Sequence, residues 1–132
     1  MSVYQTKEFA RFARKARLTV GALLEAASQV ADGDFDADLG GGVYKQRVAR
    51  KGEGKSGGFR TLLLFKAGGH AFFVDCFAKN ERANIGPKEV RALKRLADTM
   101  LNFTTQQIRK AEAAGELIEL VDDDNGEEDA EQ

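Results

Sequence analysis

Val43-Tyr44-Lys45-Gln46-Arg47-Val48-Ala49-Arg50-Lys51-Gly52-Glu53-Gly54-Lys55-Ser56-Gly57-Gly58-Phe59-Arg60 reads as two β-strands joined by a cationic, glycine-rich loop. Six of these eighteen residues are Lys or Arg, and only Glu53 is acidic. Side chains alternate across a strand, so Lys45 and Arg47 share one face while Tyr44, Gln46 and Val48 take the other. Arg60 returns on the next strand. A buried cation without a partner costs several kcal/mol, so this face is expected to stay open to an anion, and phosphate is the obvious one.

Outward from this stretch the elements follow from periodicity and punctuation. Strands are predicted over Val43 to Ala49, Phe59 to Lys66 and Ala71 to Ala78, with the last two joined at Ala67-Gly68-Gly69, which gives an antiparallel meander. Upstream, Val3 to Gln5 reads as a short edge strand. Thr6 is then an N-cap for a helix whose Phe9, Phe12, Ala13 and Ala16 recur at helical spacing. Thr19 opens a second helix with Leu23, Leu24, Ala27, Val30 and Ala31 on one stripe, ended by Gly33, so the two helices form a hairpin. Residues 34 to 42, with three Asp and three consecutive Gly, read as a loop. Downstream, Pro87 starts a helix bearing Val90, Leu93, Leu96, Ala97, Met100 and Leu101. Thr104-Thr105-Gln106-Gln107 resembles a capping box that opens another helix, running to Gly115. Leu117 to Val121 is either a final edge strand or a frayed end. The expected class is α+β: an N-terminal helix hairpin on a small, mainly antiparallel sheet, with additional C-terminal helices.

Composition bounds the chemistry. A chain of 132 residues with 42% hydrophobic residues fits one compact domain, placed at 1–121. The net charge of -1 averages two unlike parts, because residues 122–132 hold seven acidic groups and no basic one. The body therefore carries 20 basic against 14 acidic residues. The tail is either a solvated, disordered end or a segment that screens the basic surface. The single cysteine, Cys76, excludes an internal disulfide and fits a reducing cytoplasm. No signal-peptide core opens the chain, and no apolar stretch reaches the roughly 18 residues of a membrane span.

Ala49 to Ser56 matches the permissive nucleotide-loop pattern ending in Gly54-Lys55-Ser56. Such a loop must lead into a helix whose N-terminus faces the phosphates. Here Gly57-Gly58 lead into the strand-like Phe59-Arg60-Thr61-Leu62, which argues against nucleotide hydrolysis. His70, the one histidine, reads as a turn residue rather than a base, and Cys76 as a core thiol. Asp34, Asp36 and Asp38 lack calcium-site spacing, and there is no His/Cys cluster for zinc, so neither metal nor cofactor is expected. What remains is a cationic surface of Lys45, Arg47, Arg50, Lys51, Lys55, Arg60, Lys79 and Arg82. Such a surface can bind RNA, and it can also cut it, since the substrate carries its own 2′-hydroxyl nucleophile. A lysine crowded by cations can serve as base, while arginines suit phosphate oxygens. Charge alone favours binding over cutting.

The segments Leu39-Gly40-Gly41-Gly42-Val43-Tyr44-Lys45-Gln46-Arg47-Val48-Ala49, Gly54-Lys55-Ser56-Gly57-Gly58-Phe59-Arg60 and Phe77-Ala78-Lys79-Asn80-Glu81-Arg82-Ala83-Asn84-Ile85, following a helix hairpin, resemble the RelE-like toxins of type II toxin–antitoxin systems, within the RelE/ParE superfamily. The resemblance covers most of residues 1 to 121 and implies the RelE-like fold. It also implies a metal-independent mRNA interferase, an endoribonuclease that cleaves mRNA on the ribosome and so inhibits translation. Carried over, it makes Lys45 and Arg47 base or phosphate ligands, sets Arg60 on the scissile phosphate, and gives Arg82 a supporting role. Arg50, Lys51, Lys55 and Lys79 are then RNA-binding cations, and Tyr44 or Phe59 an aromatic that stacks on substrate. Where the founding pattern has a tyrosine, this chain has Asn84-Ile85-Gly86-Pro87. The implied partners are a cognate antitoxin covering this face, mRNA with the ribosome, and operator DNA only through the antitoxin complex. Two other readings stay open: a gyrase-directed inhibitor, as in the ParE branch, and a member that only binds its antitoxin.

Overall fold

Threonine hydroxyls open three of the helices, as the sequence predicts. Thr6 Oγ1 accepts from the Phe9 amide at 3.1 Å, Thr19 Oγ1 from Ala22 at 3.1 Å, and Thr104 Oγ1 from Gln107 at 3.1 Å. Gln107 Oε1 accepts in return from the Thr104 amide at 2.7 Å, completing the capping box. Each such cap is worth about 1 kcal/mol. These contacts come from a computed structural model that describes residues 1–50, 54–78 and 85–122.

The element order is β1 (Val3–Thr6), α1 (Lys7–Ala16), α2 (Val20–Ala31), β2 (Ala37–Gly40), β3 (Val43–Arg50), β4 (Gly54–Phe65), β5 (Ala71–Ala78), α3 (Pro87–Met100), α4 (Thr105–Ala113) and β6 (Leu117–Leu120). Among the described residues the strands form one six-stranded sheet, ordered β2-β3-β4-β5-β1-β6. Among these described strands only the β1–β5 pairing is parallel. The class is α+β, with four helices and a mostly antiparallel sheet among the described residues, and the meander expected from β3 to β5 is present.

The structure corrects several expectations. The strand expected at Val3 to Gln5 is present as β1, but it is interior rather than an edge: it pairs with β5 on one side and β6 on the other, and Val3 and Tyr4 are buried on its two faces. Leu117 to Leu120 supplies the edge strand β6. The loop at 34–42 contains β2, because Asp38 and Gly40 pair with Tyr44 and Val43 despite the composition. β4 begins at Gly54, five residues earlier than predicted, since the hairpin from β3 pairs Arg50 with Gly54.

The sheet separates two cores. On one face Phe9 and Ala13 of α1 and Leu23, Ala27 and Val30 of α2 pack with Val48, Leu63, Phe73 and Cys76. On the other, Ala97 and Met100 of α3 and Ile108 of α4 pack with Tyr4, Val43, Leu64, Phe72 and Leu117. Phe12, predicted in the α1 stripe, is 51% exposed, because α1 buries the arc of Phe9, Ala13 and Ala16 and leaves its flank uncovered. Ala31 is exposed at the end of α2. In α3 only Ala97 and Met100 are buried, and Leu96 is exposed. This helix therefore meets the sheet near its C-terminal end, where a Cβ on Gly42 would come within 2.6 Å of Leu101 Cδ1.

Burial pushes the hydroxyls of both Tyr4 and Tyr44 above the ordinary 10.0, helped by the negative Glu119 and Glu112 at Tyr4 and by Asp38 at Tyr44. The fold thus holds these protons more tightly than the unfolded chain does. The resulting stability is complete below the ordinary tyrosine value and is lost as pH rises through the folded values. The urea midpoint is expected to fall as pH passes about 10, and the Tyr44→Phe variant should show a smaller fall.

Candidate functional site

Strand alternation, once the register is known, decides which side chains meet. Val43 and Leu64 point to the α3 and α4 side, so Lys45 and Arg47 of β3 and Arg60 and Leu62 of β4 point there too. Arg47 lies directly opposite Arg60, and Lys45 opposite Leu62. On the far side of β4, Arg60 is opposite Phe77 and Leu62 opposite Asp75. Two cross-strand rows result, Arg47-Arg60-Phe77 and Lys45-Leu62-Asp75. The buried Leu62 floors the second row, and Lys45, Arg47 and Arg60 are half-buried.

A β-bulge places Asp75. Between Leu62↔Asp75 and Leu63↔Phe73 the β5 strand carries one extra residue, Val74. Phe73 faces α1 and α2, whereas Val74 and Asp75 both fall on the opposite face, and Cys76 returns to the α1 and α2 core. Strict alternation puts Asp75 with Phe73. Bulges re-aim side chains in this way, frequently beside functional sites.

Like charges directly opposite on a sheet repel, and a third residue offsets this pair. Asp36 Oδ2 lies 3.9 Å from Arg47 Nε and 3.9 Å from Arg60 Nε. Both Nε atoms are shielded from solvent and have no hydrogen-bond acceptor among the described residues. Asp36 is fixed from behind by Gln46, which is buried on the other face of β3. The Asp36 amide donates to Gln46 Oε1 at 3.1 Å and to the Lys45 carbonyl at 3.1 Å. Gln46 Nε2 donates to Gln29 Oε1 of α2 and to the Asp34 carbonyl, each at 3.0 Å. Gln46→Leu removes all three side-chain bonds and leaves their partners facing an apolar side chain. It is expected to lower stability by about 1–3 kcal/mol in urea denaturation.

The other predicted residues divide by position. Tyr44 faces away from the arginines and packs with Phe35 and Phe65, at ring distances of 5.0 and 6.3 Å. Phe59 lies on the same helical side. Arg50 and Lys55 are placed by their backbone in β3 and β4, and Lys51, Lys79 and Arg82 lie outside the described residues. Gly54-Lys55-Ser56 forms the start of β4 and not a strand-to-helix phosphate loop, as the residues after it predict. His70 sits against Tyr4 and Phe72, at 5.6 and 6.4 Å. Its neighbour Ala71 pairs with Phe65, about 17 Å along β4 from Arg60 at the usual rise per residue. Among the described residues no group of three or more His, Cys, Asp and Glu is arranged to hold a metal ion. Asp36, Asp75 and Phe77 were not singled out from sequence as parts of this face. Asp36 and Asp75 carry no local signal for it, since a bend and a bulge bring them there.

A family model described as the RelE toxin of the RelE/RelB toxin–antitoxin system matches residues 1–120. The chain belongs to the RelE toxin family. Among curated proteins no sequence matches it. The RelE match ends on the last residue of β6, so α3, α4 and β6 lie within the family span rather than beyond it. In this RelE family member the cationic rows are formed by β3 and β4 near the middle of the sheet, a rigid support for positioned charges. No helix among its described residues is long and apolar enough to cross a membrane.

Proposed function

We propose that this toxin is an endoribonuclease that cleaves mRNA, on the ribosome, and that the Lys45, Arg47 and Arg60 face is its active site. The observation that carries the reading is the directly opposed Arg47–Arg60 pair with its shielded Nε donors, which have no acceptor among the described residues. A phosphate brings several acceptor oxygens and a negative charge to such a pair, and guanidinium forks match it in a bidentate way. The 2′-oxygen of the RNA attacks phosphorus as the bond to the 5′-oxygen breaks. Lys45, on the same face of β3 as Arg47, takes the 2′-hydroxyl proton as general base. The 5′-oxygen leaves with a proton from a general acid or water. Arg47 and Arg60 offset the charge that builds on the phosphorane. Arg82 supports them in this reading, and a cognate antitoxin silences the toxin by covering the same face. The proposed toxin domain is 1–121, with the acidic stretch 122–132 outside it.

Mapping 5′ ends of cellular mRNA shortly after induction tests the reading. New ends inside reading frames, absent when the antitoxin is co-expressed, are the expected result. Growth arrest with intact mRNA and DNA-damage signalling would replace it with a gyrase-directed inhibitor. Intact mRNA with normal growth would leave a protein that binds its antitoxin and does not cut.

A further inference from the structure

We propose that Asp36 is a built-in counter-ion that occupies the seat of the substrate phosphate between Arg47 and Arg60 and swings out when RNA arrives. The inference rests on the reading of this face as the RNA site. One carboxylate oxygen, Oδ2, is shared between the two guanidinium groups at 3.9 Å from each Nε. That distance is beyond the roughly 2.7–3.2 Å of an N–H···O hydrogen bond. Asp36 therefore balances the charge of the pair while leaving its Nε donors without an acceptor among the described residues. A resident anion that made proper hydrogen bonds would be hard to displace; this one holds the arginines together and concedes the seat to a better ligand.

The backbone supports that exchange. The Asp36 amide is tied to the Lys45 carbonyl and to Gln46 Oε1, so the main chain of the bend before β2 is anchored to β3. Only the carboxylate arm has to rotate. Its side chain is 28% exposed, so it has solvent to turn into. Asp36 is thus a positioning residue: it keeps two like charges in register in the free protein and lowers affinity by competing with the substrate.

The test uses the full-length protein and a 2′-O-methylated single-stranded RNA oligonucleotide, which binds but has no free 2′-hydroxyl to attack. Asp36→Asn is expected to tighten binding about tenfold. It should also make log K fall more steeply with log salt, because the displaced carboxylate no longer takes up a cation on binding. Glu8→Gln removes the same charge from α1, across the sheet, and should leave affinity unchanged. A folded Asp36→Asn protein that binds no tighter than wild type, or a gain equalled by Glu8→Gln, overturns the proposal. If Asp36→Asn does not fold, Asp36→Ser carries the same expectation. Arg60→Ala in the same assay separates the two levels. Weaker binding there with no gain in Asp36→Asn removes the counter-ion alone, whereas unchanged binding in Arg60→Ala removes the RNA site itself.

Discussion

Arg60→Ala is expected to lower mRNA cleavage by about 10²–10³-fold, the usual cost of losing one preorganised donor to a developing oxyanion, while the fold stands. Arg60 is at the centre of the proposed site, opposite Arg47 on one side and Phe77 on the other, with its side chain 18% exposed. Truncation removes a guanidinium but also relieves the repulsion across the β3–β4 ladder, so thermal stability should change little. Arg60→Lys keeps the charge and loses the planar fork, and its rate should fall between wild type and Arg60→Ala. The measurement is the cleavage rate of a defined mRNA in a translating, ribosome-containing reaction, paired with a melting curve for each variant. A correctly folded Arg60→Ala protein that cuts at the wild-type rate would remove Arg60 from the site.

The largest stability effect is expected at Phe73. This residue is fully buried in the middle of β5 and stacks on Phe9 of α1, with ring centroids 5.1 Å apart at 27°. The stack joins helix to sheet, so Phe73→Ala opens a cavity that neither element can close alone. A loss of about 3–5 kcal/mol follows from comparable truncations. In a domain of this size that corresponds to a melting temperature lower by about 10–25 °C. Phe12→Ala, from the same helix but at a position 51% exposed, should stay within about 0.5 kcal/mol. A Phe12→Ala loss as large as that of Phe73→Ala would show that the two faces of α1 have been assigned the wrong way round.

What could be read from sequence was what neighbouring residues decide. Thr6, Thr19 and Thr104 cap helices through bonds to residues three positions on, and the alternation of Lys45 and Arg47 holds because β3 runs unbroken from Val43 to Val48. Of the candidate site, the shared side of Lys45 and Arg47 was legible for the same reason. The remainder depends on pairing between distant segments. Nothing local to Val3 and Tyr4 says that β5 and β6 will flank them, and nothing in Phe73-Val74-Asp75 marks the extra residue that turns Asp75 around. Asp36 could be recognised only once Gln46 was seen to anchor its backbone. Phe12 misled because helical spacing identifies a stripe without saying how wide a surface will cover it.

The interior position of β1 also sets a clock on synthesis. β1 has both of its hydrogen-bonding partners far downstream, at residues 71–78 and 117–120. A chain emerging N-terminus first, at roughly 5–20 residues per second, carries both edges of β1 unpaired until β5 appears and one edge until β6 is complete. Contacts so far apart in the chain are slow to form. The β3–β4 hairpin that bears Arg47 and Arg60 is local and can form well before the sheet is closed around it. Translation therefore completes the residues of the charged face before the segment that supplies the last strand of the sheet.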